Sequence, residues 1–176
     1  AHTLKTDLNV LASFKPKIPK EYKGCRFLFL ANTDPDIQLQ TLEKIRPKYS
    51  FLDTMNFWIE HKKDELSQVL GEVDGLIIND AEARQYCDTP NLIQAGRRLL
   101  KAGPKKVIIK KGEHGCLLFD ETGLFVVPAY PVEHVVDPTG AGDTFAGGFM
   151  GSLARFGCRT PGTLRRAVAV SYTHLT

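Results

Sequence analysis

Gly75-Leu76-Ile77-Ile78-Asn79-Asp80-Ala81-Glu82 sets the architecture of this chain. Its first four residues form an apolar run without polar alternation. That is the pattern of a short strand covered on both faces rather than half exposed to water. Asn79-Asp80 then supplies short polar acceptors where a helix would begin, and the sequence from about Ala81 reads as that helix. A doubly covered strand feeding a helix is the repeating unit of parallel sheets.

The same unit recurs on either side. Towards the N-terminus, Tyr49 to Thr54 reads as a strand and Lys63 to Leu70 as a helix. Arg26 to Ala31 is a continuous apolar run and predicts a strand buried on both faces. Asp34-Pro35 opens a helix over Ile37 to Ile45, with proline in the first turn. Phe14 to Tyr22, holding Pro16 and Pro19, reads as an extended connector. Towards the C-terminus, Asn91 to Ala102 predicts a helix stopped by Gly103-Pro104, and Val107-Ile108-Ile109 a fourth strand. The expected fold is therefore α/β, a mostly parallel sheet flanked by helices with right-handed crossovers. After Lys111 the pattern changes. Cys116 to Phe119 and Leu124 to Val127 flank Asp120-Glu121-Thr122-Gly123, which predicts an antiparallel hairpin at the edge of the sheet. Thr3 to Val10 alternates like a strand already under way, and the helical pattern from Leu164 is still open at the last residue. Residues 1–176 thus read as a single, incomplete domain, with residues 171–176 as candidates for non-native sequence.

Composition excludes several functions. The 176 residues are 43% hydrophobic and 24% charged, with a formal net charge of +3. A nucleic-acid footprint would need more basic charge. Lys101, Lys105, Lys106, Lys110 and Lys111 are interrupted by Val107, Ile108 and Ile109 and read as solvated strand ends. No apolar run approaches the ~18 residues of a membrane span, so a membrane partner is not expected. Cys25, Cys87, Cys116 and Cys158 form no Cys-x-x-Cys pair and read as reduced thiols of a cytoplasmic protein. His2, His61, His114, His134 and His174 lack ligand spacing, which argues against structural zinc.

The chemistry concentrates in Asp137-Pro138-Thr139-Gly140-Ala141-Gly142-Asp143-Thr144-Phe145. Gly140-Ala141-Gly142 permits a tight turn that points successive N–H groups one way, and Asp143 to Arg155 reads as a helix of small and apolar residues. Free amides at a helix N-terminus make an anion site. A carboxylate beside a bound phosphate would be repelled by it, so Asp143 there needs a catalytic reason, such as deprotonating an attacking alcohol. No Gly-x-x-x-x-Gly-Lys-Ser/Thr is present. Phe145 stands where a dinucleotide fingerprint would carry its third glycine.

This segment resembles the C-terminal signature of the ribokinase-like, or PfkB, carbohydrate kinases. The resemblance implies an ATP-dependent phosphotransferase acting on a hydroxymethyl group of a sugar or nucleoside. It assigns Asp143 as general base and the amides of Gly140, Ala141, Gly142 and Asp143 as an anion hole. Asp137 and Thr139 match positions that serve a monovalent cation such as K+ in some members. Asn79-Asp80-Ala81-Glu82 is similar to the family's Asn-x-x-Glu motif for Mg2+ and nucleotide phosphates; by itself it is an ordinary helix cap. Lys110-Lys111-Gly112-Glu113-His114-Gly115 looks like the family's Gly-x-x-Gly nucleotide loop, with Lys110 where many members place a threonine contacting phosphate, a place its ammonium could fill as a point charge. Gly112 and Gly115 would let the backbone approach ATP. Asp53-Thr54-Met55-Asn56 resembles an Asp-x-Asn segment with altered spacing; Asp53 and Asn56 would face the phosphate pocket, and Phe57 and Trp58 would pack. The family's N-terminal acceptor-binding and lid region has no counterpart here, so the acceptor and any homodimer made through the lid are outside what these residues specify. The alternatives are an inactive or nucleotide-binding-only fragment, and a kinase of another small alcohol such as a vitamin precursor.

Overall fold

The computed structural model describes residues 7–135, 137, 139–157 and 160–173. Six strands form one sheet in the order β1-β2-β3-β4-β5-β6. They are β1 (Phe27–Leu30), β2 (Tyr49–Asp53), β3 (Gly75–Asn79), β4 (Lys106–Lys110), β5 (Cys116–Asp120) and β6 (Gly123–Val127). The first four run parallel, and β5 and β6 are antiparallel additions. The hairpin turns through Glu121 and Thr122, with the Asp120 carboxylate accepting from the Thr122 backbone N–H at 2.8 Å. The expected α/β sheet with an antiparallel edge is the observed one.

The helices are α1 (Pro35–Ile45), α2 (Asn56–His61), α3 (Lys63–Glu72), α4 (Asp80–Cys87), α5 (Leu92–Lys101), α6 (Ala141–Phe156) and α7 (Pro161–Thr173). Side-chain alternation along the strands divides them between the two faces. Leu30, Leu52, Leu76, Ile78, Val107 and Ile109 pack with buried residues of α2 to α5 and with Leu39 and Leu42 of α1. Phe51, Ile77, Ile108, Cys116 and Leu118 pack with Phe145, Phe149 and Leu153 of α6 and with Leu164 and Val168 of α7. All crossover helices of the parallel strands share the first face, as a single handedness requires when strands are added in one direction. Each leucine or phenylalanine buried this way contributes about 2 kcal/mol, and the edge-to-face pair of Phe51 and Phe149, 5.0 Å apart, ties α6 to β2.

Four expectations need correction. Phe27, Leu28 and Phe29 are only partly buried, because β1 is an edge strand among the described residues and has β2 as its one neighbour. Asn9 and Val10 lie in a 3-10 turn, Asn9–Ser13, and not in a strand; residues 3–6 of that expected strand lie outside the described residues. The connector after Phe14 ends in a second 3-10 turn, Lys20–Tyr22. Asn56–His61, beyond the predicted strand Tyr49 to Thr54, forms a helix that the sequence reading did not predict, α2. Ser171 and Tyr172 continue α7, with Tyr172 packed against α6. Residues 174–176, Cys158 and Pro138 lie outside the described residues.

Candidate active site

The register of the parallel strands builds one end of the site. Asn79 of β3 pairs directly with Lys110 of β4. Asp53 closes β2 two residues after Phe51, Asn79 closes β3 two after Ile77, and Lys110 closes β4 two after Ile108. Alternation therefore puts all three on the face that α6 covers, at the C-terminal strand ends where open α/β sheets bind ligands.

α6 brings its N-terminus to the same place. Gly140 caps the helix with a φ of 78°, a left-handed conformation that glycine adopts without strain. The first intrahelical bond runs from the Thr144 N–H to the Gly140 carbonyl at 2.8 Å. The amides of Ala141, Gly142 and Asp143 therefore have no acceptor within the helix, and they carry the positive end of its dipole. Asp143 is exposed in this first turn. Just before it, hydrogen bonds from the Thr139 side chain and from the Thr139 N–H, the latter at 2.8 Å, hold the carboxyl of the exposed Asp137 below the usual range. Among the described residues that carboxylate belongs to no group of three His, Cys, Asp or Glu side chains that could hold a metal ion.

Lys110 forms the floor. Its Nζ lies 3.7 Å from Asp53 Oδ2, with 15% and 10% of the two side chains exposed. A Cβ placed on Gly142 would lie 3.2 Å from the same Nζ. Lys110 is thus no solvated strand end, unlike Lys105, whose side chain is 77% exposed. Burial raises the Asp53 pKa; Lys110 and the Thr54 N–H oppose the rise, and Asp143 adds to it.

Asn79 and Glu82 form a complete capping box. Asn79 Oδ1 accepts from the Glu82 N–H at 2.8 Å, and Glu82 Oε2 accepts from the Asn79 N–H at 2.9 Å. The motif is a helix cap in fact, and it also presents the carboxyl beside Lys110 and Asp53. Burial pushes the Glu82 pKa up to about 7, with Asp53 adding to the rise. Mg2+ chemistry suits this set. Asp53 and Glu82 share the Lys110 ammonium, and Asp143 lies near enough to Asp53 to add to its pKa rise, so fully ionised the three leave a local excess of negative charge. A hard cation that keeps several waters needs only one or two protein oxygens, and Glu82 Oε1 accepts no hydrogen bond among the described residues. No three His, Cys, Asp or Glu side chains there converge tightly enough to hold a metal directly.

The Glu82 shift has a measurable consequence. A carboxyl titrating at about 7 instead of 4.5 is worth about 3 kcal/mol. Because the folded-state value is the higher one, this stability is full below pH 4.5 and is lost as pH rises through about 7. Glu82→Gln keeps the amide oxygen that accepts from Asn79. It is expected to flatten the pH dependence of the melting temperature across that window and to raise it above pH 7. An unchanged slope would show that Glu82 does not carry the proton.

The glycine loop after β4 divides in two. Gly112 (φ 55°) has open space where a Cβ would stand, whereas a Cβ on Gly115 (φ 81°) would meet the Val127 carbonyl oxygen of β6. The Gly115 carbonyl also accepts from the Tyr172 hydroxyl at 2.7 Å. Gly115 is therefore required by packing, and Gly112 lies in the open beside Lys110 and Lys111. Asn56 is exposed at the start of α2, and Trp58 is buried as packing, its indole N–H donating to Asn32 at 3.0 Å.

Sequence reading missed Gln38. Its buried Nε2 donates to the Ala31 carbonyl at 2.9 Å and to the Asp53 carbonyl at 3.0 Å, lacing the ends of β1 and β2. A glutamine on an amphipathic helix gives no signal for this.

A family model described as pfkB family carbohydrate kinase matches residues 22–175. A cytidine kinase of Thermococcus kodakarensis is 33% identical over 144 residues, 78% of this chain and 51% of that protein. An adenosine kinase of Saccharomyces cerevisiae is 34% identical over 104 residues, 53% of this chain and 31% of that protein. The chain spans about half the length, or less, of these relatives. Among solved structures, aminoimidazole riboside kinase from Salmonella enterica superposes with a TM-score of 0.74 at 23% identity, covering 88% of this chain and 56% of that one, a likeness of fold.

Proposed function

The chain belongs to the pfkB family of carbohydrate kinases, and from that premise we propose that the intact gene product transfers the γ-phosphoryl of ATP to a hydroxymethyl group of a sugar or nucleoside. The observation that carries this reading is the convergence at one strand end of three helix-start amides, an exposed carboxylate and a nearly buried ammonium. Asp143 accepts the proton of the attacking alcohol. The amides of Gly140 to Asp143 and the Lys110 ammonium face the charge that spreads over the transferred phosphoryl group. Asn79 and Glu82 would hold Mg2+, partly through water, and the ion would supply charge neutralisation on the phosphates. Gly112 leaves the backbone open towards the nucleotide. Asp137 and Thr139 are the residues that would serve a monovalent cation such as K+.

The relatives' names favour a nucleoside as first acceptor to try. The test is release of ADP from ATP and Mg2+ by the intact gene product, with cytidine, adenosine and free ribose or fructose offered separately. Acceptor-dependent ADP release is expected with at least one nucleoside. Its absence with every acceptor, in protein that binds ATP, would favour the second reading, a nucleotide-binding chain without turnover. That reading draws on the chain covering only half of its relatives' length.

A further inference from the structure

Asp53 has no part in the chemistry described above, yet it is among the few buried carboxylates and is held from several sides. The Thr54 N–H donates to its Oδ1 at 2.9 Å, and Gln38 donates to its backbone carbonyl. Its other oxygen faces Lys110 Nζ at 3.7 Å. That separation is an ion pair and too long for a hydrogen bond, so the pair fixes the position of the ammonium without consuming its donors. The ammonium also lies 3.2 Å from where a Cβ on Gly142 would stand. A lysine head is ordinarily mobile and well hydrated, and immobilising it costs rotamer entropy. Here that cost is met in advance by a buried partner.

We propose that Asp53 is a positioning residue: it holds the Lys110 ammonium under the α6 anion turn, where it contacts the transferred phosphoryl group. This rests on the phosphoryl-transfer reading of the site and adds the residue that orients its floor. Preorganised charge is worth more than mobile charge because no reorganisation is needed as the reaction proceeds.

The experiment is a double-mutant cycle in the intact protein with Asp53→Asn and Lys110→Met, read by steady-state kinetics and by calorimetric binding of ADP and of a non-hydrolysable ATP analogue. Lys110→Met is expected to lower kcat on the order of 10²-fold. It should weaken the analogue about tenfold while leaving ADP nearly unchanged, since the ammonium meets only the terminal phosphate. Asp53→Asn alone should lower kcat about tenfold with a smaller change in KM for ATP. Made on top of Lys110→Met, it should cost nothing further. If Asp53 merely supports the fold, it will cost the same factor in both backgrounds, and the proposal is overturned. Equal weakening of ADP and the analogue by Lys110→Met would overturn it too. Lys110→Met leaves a buried carboxylate unpaired; the double variant, free of both charges, provides a folded reference for binding. A wild-type protein that turned over no acceptor would defeat the kinase assignment, and the analogue-against-ADP comparison would still read the pair.

Discussion

Asp143→Asn is expected to lower kcat by about 10²–10⁴ while leaving ATP affinity within a few-fold of wild type. Asparagine preserves the size of the side chain in the first turn of α6 and leaves the helix-start amides in place. It removes the acceptor for the alcohol proton. It also removes a negative charge that opposes phosphate binding, so nucleotide affinity should hold or rise slightly. The measurement is single-turnover phosphoryl transfer beside equilibrium binding of ATP. A variant that transferred phosphoryl at a near-normal rate would show that the proton leaves by another route, and the role given to Asp143 would be withdrawn.

The second large effect is on stability. Gly115→Ala is expected to destabilise the fold by about 3 kcal/mol or more, from a strained positive φ together with a forced collision. The residue stands at φ 81°, and its new methyl would point into the backbone of β6 and the chain that follows at Pro128 and Ala129. None of these can yield as a flexible side chain would. Gly112→Ala, at φ 55° with open space around it, should cost only about 1 kcal/mol in stability. Its effect should appear in KM for ATP. Chemical denaturation of both variants tests the contrast. If they lost equal stability, the division of the loop into a packed and an open glycine would be wrong.

Much of the fold was legible because its causes are local. Leu76-Ile77-Ile78 and Val107-Ile108-Ile109 are apolar at every position, since both faces of β3 and β4 are covered, and runs this short and rich in β-branched residues read as strands. The hairpin announced itself through Gly123. Phe27 and Phe29 carry the same apolar signal but lie in β1, because whether a strand has a neighbour on each side is decided by the whole sheet and not by its own residues. α2 escaped notice because six residues make fewer than two turns, too short for a period to show.

The site divides in the same way. Asp143 and the glycine turn were readable because the turn itself creates the amide array. Lys110 was read as one of several solvated lysines along a strand, and also as a phosphate contact by resemblance. Only the packing of α6 shows which end of β4 is covered, and so why Lys110 is enclosed while Lys105 is not. Asn79 and Glu82 illustrate a different limit: the capping reading and the ligand reading predict the same two hydrogen bonds, and both bonds are present.

The strand order β1-β2-β3-β4-β5-β6 means that each strand pairs with the one made just before it. A chain leaving the ribosome can therefore extend the sheet along one edge, with no strand waiting for a distant partner. The crossover helices cover one face as it grows. The other face, with Phe51, Ile77 and Ile108, stays bare until α6 and α7 are synthesised. Among the described elements, the glycine turn at the start of α6 thus arrives after the whole sheet. Until it arrives, the nascent protein presents an apolar surface of the kind that chaperones hold, and a ribosome pause between β6 and α6 would lengthen that exposure.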